Sequence, residues 1–359
     1  MDVHFNSYKA RYELMDKYIM QIRRSQYVRT MDIFINLDDV FHNMHRPVVN
    51  KEVQVAGIKA YLQLSSHIIN LIAHYKNWAV KAGIKCRIFA VYTTASKWFQ
   101  NSMFLPCYRD YFSFINEPSN QAYFFVNDAI TKAIPIAKNI GDYVEDVFLI
   151  DGHYIEPSVI PLILKERGLA NYEWSMMISR DAYDLQYAYR DKWIFVSPKG
   201  DNTRIVNKGN MWDYIASKEH IINERHNAGF YHHDLLPLGI SVAGNKYRSI
   251  PRLKRIGWKT IYNYLDEVTA KETSTTSIIT GRFVDLIESK GVTEEQLANN
   301  MRCTSIENQS LVANDIDWSS ITSQLQYVTD HKAIGTINSF YFEEFPINIP
   351  FLTAGSRAF

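Results

Sequence analysis

Short apolar runs recur along this chain with helix-length segments between them. They are Met31–Leu37, Cys86–Tyr92, Asp146–Ile150, Trp174–Ile178 and Trp193–Val196. Each reads as a strand buried within a sheet. Between them, Val53–Ala82 carries apolar residues at helical spacing and ends before Gly83, and Glu156–Arg167 reads as a helix stopped near Gly168. A helix is predicted from Asp181, and a turn at Pro198-Lys199-Gly200-Asp201. Alternation of this kind predicts an α/β fold with a mostly parallel central sheet flanked by helices. The 359 residues suffice for one large or two modest domains. The expected division is an N-terminal helical extension (1–30), the α/β core (31–230), a helical module (231–268) and a less regular C-terminal extension (269–359).

Composition removes several classes. Hydrophobic residues make up 47% and aromatic residues 14%, which indicates a packed interior. The three cysteines, Cys86, Cys107 and Cys303, form no CxxC pair, which argues against a disulfide scaffold or a structural zinc site. No apolar run is long enough to span a bilayer, and the N-terminus lacks the apolar region of a signal peptide. A soluble protein of the cytoplasm, or of a viral or phage assembly made inside a cell, is expected, with no membrane partner. Glycine-rich phosphate loops are absent, which argues against a nucleoside triphosphatase. His232-His233-Asp234 suggests a metal ligand set or a base, but shows no partner at useful spacing and is assigned to an ordinary loop.

The segment Ser249–Leu265 is the most specific in the chain. It reads as a short helix, a tight turn at Ile256-Gly257 and a second helix. Lys246, Arg248, Arg252, Lys254, Arg255 and Lys259 surround the turn, and no Asp or Glu lies between Asn245 and Leu265. With a net charge of only +1, the enrichment is local. Charge alone describes a solvated basic hairpin. A helix N-terminus ringed by cations also suits phosphate. The spacing Ile250-Pro251, then Ile256-Gly257, then Lys259-Thr260 resembles the helix-three-turn-helix of the flap endonuclease and 5′-nuclease family, whose core is PIN-like. The resemblance runs from about residue 31 to 268. It implies DNA binding through Arg252, Lys254, Arg255, Gly257, Lys259 and Thr260 with Lys246 and Arg248. It adds Arg109, beside Tyr108, as a phosphate contact.

The same resemblance implies a cluster of carboxylates holding two divalent metals, and here the chain departs from the pattern. Asn36 stands where the first strand should end in aspartate, and Thr93 takes the place of the second. Glu156 is retained, but Ser158 and Val159 replace its companions. Asp181 is retained, while Tyr183 replaces the next. Asn245 and Arg248 replace the two aspartates before the turn, and Arg255 replaces a turn glycine. Each loss of a carboxylate removes charge that Mg²⁺ requires. The implied protein is therefore a catalytically degenerate relative, a pseudoenzyme that binds DNA by its phosphate backbone or serves as a structural component of an assembly, with no cofactor. The alternative is an active 5′-3′ exonuclease or flap endonuclease using Mg²⁺ or Mn²⁺ at a rebuilt site of Asp38, Glu156, Asp181 and Asp184.

Overall fold

The computed structural model describes residues 28–37, 71–72, 74–79, 82–92, 146–152, 156–198, 204–221, 231–245, 250–271 and 276–307. Six strands form one sheet: β1 (Thr30–Asn36), β2 (Lys85–Tyr92), β3 (Val147–Asp151), β4 (Trp174–Ile178), β5 (Trp193–Ser197) and β6 (Arg204–Val206). Their order is β3-β2-β1-β4-β5-β6. Pairings among the first five are parallel, and β6 joins β5 antiparallel. This is the mostly parallel α/β sheet that the alternating pattern predicts.

Both faces of the sheet are covered. Phe34, Phe89, Val91, Phe195 and Met177 face one layer, with α1 (Ile160–Glu166), α2 (Met211–Lys218), α3 (Leu235–Ala243) and α4 (Trp258–Lys271). Ile33, Ile35, Ile88 and Ala90 face the other, against helical residues such as Tyr75 and Trp78. Burial on both faces is why these strands are runs of apolar residues and not alternating ones.

Several sequence expectations need correction. The helix expected at Glu156–Arg167 begins only at Ile160. Residues 157–159 form a turn closed by the Val159 N–H on the Glu156 carbonyl at 2.9 Å. Pro161 occupies the first helical turn, where its missing N–H costs nothing. The helix expected from Asp181 is a 3₁₀ segment, Tyr183–Tyr187, with every residue buried. Residues 276–304, expected to be irregular, include α5 (Thr276–Glu288) and α6 (Glu294–Thr304). Thr293 and Gln296 form a reciprocal capping box at the start of α6, a signal the spacing Thr-x-x-Gln carried. Cys86 is a free, buried thiol with its pKa pushed up to about 11 by that burial. Cys303 is fully buried on α6. Among the described residues no helix is long and apolar enough to cross a membrane.

Candidate functional site

The chain runs from β1 outward to β2 and β3, then returns to build β4 and β5 on the other side of β1. In an open α/β sheet, the carboxyl ends of strands at such a reversal border a crevice that suits a ligand. Asn36 ends β1 there, and Ser179–Asp181 follow β4. The 3₁₀ segment then folds back beneath, so that Asp184 reaches Asn36. The Asn36 amide donates to Ser158 Oγ at 3.0 Å and to Asp184 Oδ2 at 3.1 Å. Asp181 Oδ1 accepts from the Asn245 amide at 2.7 Å and from the Tyr183 N–H at 3.1 Å. Tyr187 O–H donates to the Ser158 carbonyl at 2.7 Å, and its burial holds the phenol far above its usual pKa. Asp181 is 4% exposed and Asp184 fully buried.

Asp181 and Asn245 line a cavity of about 400 Å³ with Lys218, Glu219, Gly244, Ile250 and Arg252 among its walls. Gly244 closes one side. Its φ is +74°, and a Cβ there would lie 2.7 Å from both the Arg252 nitrogen and the Ile250 carbonyl oxygen. Only glycine permits this approach. Asn245 then pairs with Ile250 through two backbone bonds of 3.0 Å.

Beyond that bridge lies the basic turn. The short helix expected before Ile256 is a single 3₁₀ turn, Leu253–Arg255, because Lys254 (φ 44°) and Arg255 (φ 60°) adopt the left-handed region. Arg255 thus keeps a glycine-like conformation without being glycine, at a cost of about 1 kcal/mol or more. Leu253, Ile256 and Trp258 point into the core, while Arg252, Lys254, Arg255 and Lys259 are exposed and, among the described residues, have no ion-pair partner. Gly257 and Thr260 are half-buried at the start of α4, which has no acidic residue in its first turn. Asn300 of α6 donates to the Ser241 and Pro251 carbonyls at 2.7 and 2.9 Å and so fixes the turn from behind.

The structure brings together Asn36, Ser158, Asp181, Asp184 and Asn245. Asp181 precedes the 3₁₀ segment and meets Asn245, while Asp184 lies within it and meets Asn36. Glu156 sits in the turn before α1, half-buried. Asp38, Thr93, Arg109, Lys246 and Arg248 lie outside the described residues. Sequence reasoning missed Asp32 on β1, which is fully buried and paired with Arg87 and Lys165 at 2.7 and 2.9 Å. Its one signal was a charge inside an apolar strand.

No protein-family model matches this chain, and no curated protein matches it. Among solved structures it is similar to the 5′-exonuclease of T5 with divalent metal ions (zinc) bound, at 12% identity. That match covers 84% of this chain and 99% of the other, with a TM-score of 0.49. It is similar also to a pseudo-enzyme–product complex of the bacteriophage T5 flap endonuclease with DNA and metal ions. There the identity is 12%, the coverage 84% and 98%, and the TM-score 0.47.

Proposed function

We propose that this chain is a non-catalytic, sequence-tolerant DNA-binding protein built on a 5′-nuclease-like core. One observation carries the reading: among the described residues, the side-chain amides of Asn36 and Asn245 stand against Asp184 and Asp181. A pair of Mg²⁺ or Mn²⁺ ions takes hard, mostly anionic oxygen ligands with little tolerance of geometry. Asn36 and Asn245 instead direct N–H groups at the carboxylate oxygens such ions would use. This donor set does not fit a two-metal centre.

The surface that remains is suited to phosphate. Arg252, Lys254, Arg255 and Lys259 surround the N-terminus of α4, where the Gly257 backbone and the Thr260 hydroxyl lie within one turn of each other. Such groups recognise the backbone of DNA and not its bases. The family resemblance adds Arg109, Lys246 and Arg248, outside the described residues, as further candidate phosphate contacts. The test is fluorescence anisotropy of a labelled duplex with the full chain over a range of salt. The triple variant Arg252→Gln, Lys254→Gln, Arg255→Gln should bind more weakly and flatten the slope of log K against log salt by about 0.9 per lost phosphate contact. Unchanged affinity and slope would overturn the reading.

One observation favours a second reading. Asp181 and Asp184 are both buried near one crevice, and with Glu156 and Asp38 they represent the acidic remnant of a metal-dependent nuclease. Cleavage of a flap or nicked duplex with Mg²⁺ or Mn²⁺, abolished by Asp181→Ala, would establish that reading in place of the first.

A further inference from the structure

We infer that His232, His233 and Asp234 form a binding site for one divalent transition-metal ion of the zinc type, separate from the strand-end crevice. The three residues are consecutive, and their side chains converge. His232 Nδ1 lies 3.3 Å from Asp234 Oδ2, and His233 Nε2 lies 3.2 Å from Asp234 Oδ1. One donor atom from each falls within 4.8 Å of the others. Zinc holds nitrogen and oxygen ligands at about 2.0–2.2 Å in a tetrahedron, whose edges are then about 3.3–3.6 Å long. The separations of 3.3 and 3.2 Å lie close to that edge length, with each imidazole facing a different oxygen of the one carboxylate, so rotation of the rings onto a shared ion completes the site.

The mount is rigid. Asp234 is the residue before α3, and the Leu235 and Leu236 N–H groups bond the His232 and His233 carbonyls at 3.2 and 3.0 Å. The imidazoles stack with centroids 4.7 Å apart and 22° between planes, and the His233 ring lies 5.1 Å from that of Tyr189. Two imidazoles with one carboxylate select a borderline cation such as Zn²⁺ or Co²⁺ over Mg²⁺. Three protein ligands leave a fourth position for water or an external ligand. The nine residues of α3 separate this site from Gly244 and Asn245 by about 13 Å, at 1.5 Å per residue.

The full chain, stripped with a chelator, tests this by titration with Co²⁺ and by competition for Zn²⁺ with a chromogenic chelator. One equivalent should bind, with the visible absorption of four-coordinate Co²⁺. His233→Ala and Asp234→Asn should each weaken binding by at least the roughly 10- to 100-fold that losing even a supporting residue costs a metal site. His233→Cys should restore it with a thiolate-to-cobalt charge-transfer band, and Asp181→Asn with Asp184→Asn should leave the stoichiometry unchanged. Circular dichroism confirms that each variant is folded. Absence of uptake, uptake indifferent to His233→Ala, or uptake lost with the Asp181 and Asp184 changes would each overturn the proposal.

Discussion

Asp32 and Asn36 stand four residues apart on β1, on the same face of the strand and about 13 Å from one another, yet their surroundings are opposite in kind. At the amino end, Asp32 is saturated by cations. Its Oδ1 accepts from Arg87 Nε and Nη2 at 2.9 and 2.7 Å, and its Oδ2 from Lys165 Nζ and the Tyr172 N–H, both at 2.9 Å. The Arg87 guanidinium also lies 4.0 Å over the Tyr172 ring. At the carboxyl end, Asp184 and Asp181 accept hydrogen bonds from the amides of Asn36 and Asn245, and free cations are exposed on the neighbouring turn. Charge at one end is spent inside the fold, where it anchors three elements. At the other it is displayed, where it suits an anion from solution. Acidic residues in an α/β sheet therefore cannot be sorted into structural and functional by burial alone, since Asp32 and Asp184 are equally buried.

The largest test of this contrast is Asp32→Asn. It leaves Arg87 and Lys165 partly buried without their counter-ion, and breaking such a group costs about 3–5 kcal/mol. Urea unfolding should register that loss, and a loss below about 1 kcal/mol would place Asp32 among ordinary surface acids. Next comes Asn36→Asp. It sets a second carboxylate 3.1 Å from Asp184 and removes a donor, a penalty of about 2 kcal/mol. Two carboxyls so close raise each other's pKa. The penalty therefore grows as pH rises through that raised value and shrinks in acid, where a proton restores the donor. Millimolar Mn²⁺ should recover part of the stability if charge was all the site lacked, and a melting temperature indifferent to Mn²⁺ would count against the strand-end geometry itself. The smallest effect belongs to Arg255→Gly. Relief of its left-handed strain, less the flexibility of glycine, should stabilise the fold by about 0.5 kcal/mol, while DNA affinity falls. A stabilising change that weakens binding is the mark of a residue kept for its charge.

The strands were legible because an apolar run buried on both faces needs no partner to be recognised. The 3₁₀ segment Tyr183–Tyr187 was not. Its residues are buried on every side, so no periodicity of polar positions remained to distinguish it from an α-helix. The resemblance puts Asn36 at the end of the first strand and Asp181 just after the fourth, and β1 and β4 end there. What they touch was not legible, because Asp181 and Asn245 meet across 64 residues and Asn36 and Asp184 across 148. Asp32 escaped notice for the same reason, its partners lying 55 and 133 residues away. At the turn, the order of Arg252, Lys254 and Arg255 announced the charge but not the left-handed backbone that carries it. For His232-His233-Asp234 the types were visible and the convergence was not. Only the turn into α3 points the imidazoles at one carboxylate.

Gln186 ties the end of the described chain to its middle. Its amide donates to the Tyr183 and Thr304 carbonyls at 3.0 and 2.7 Å and accepts from the Ile306 N–H at 3.2 Å. During synthesis, β1 to β5 can emerge and pair long before residue 306 leaves the ribosome. Until it does, Gln186 lacks two of its three partners, and a buried amide left so costs about 1–3 kcal/mol. The loop that carries Asp181 and Asp184 is thus closed by Thr304 and Ile306, which leave the ribosome after every strand of the sheet.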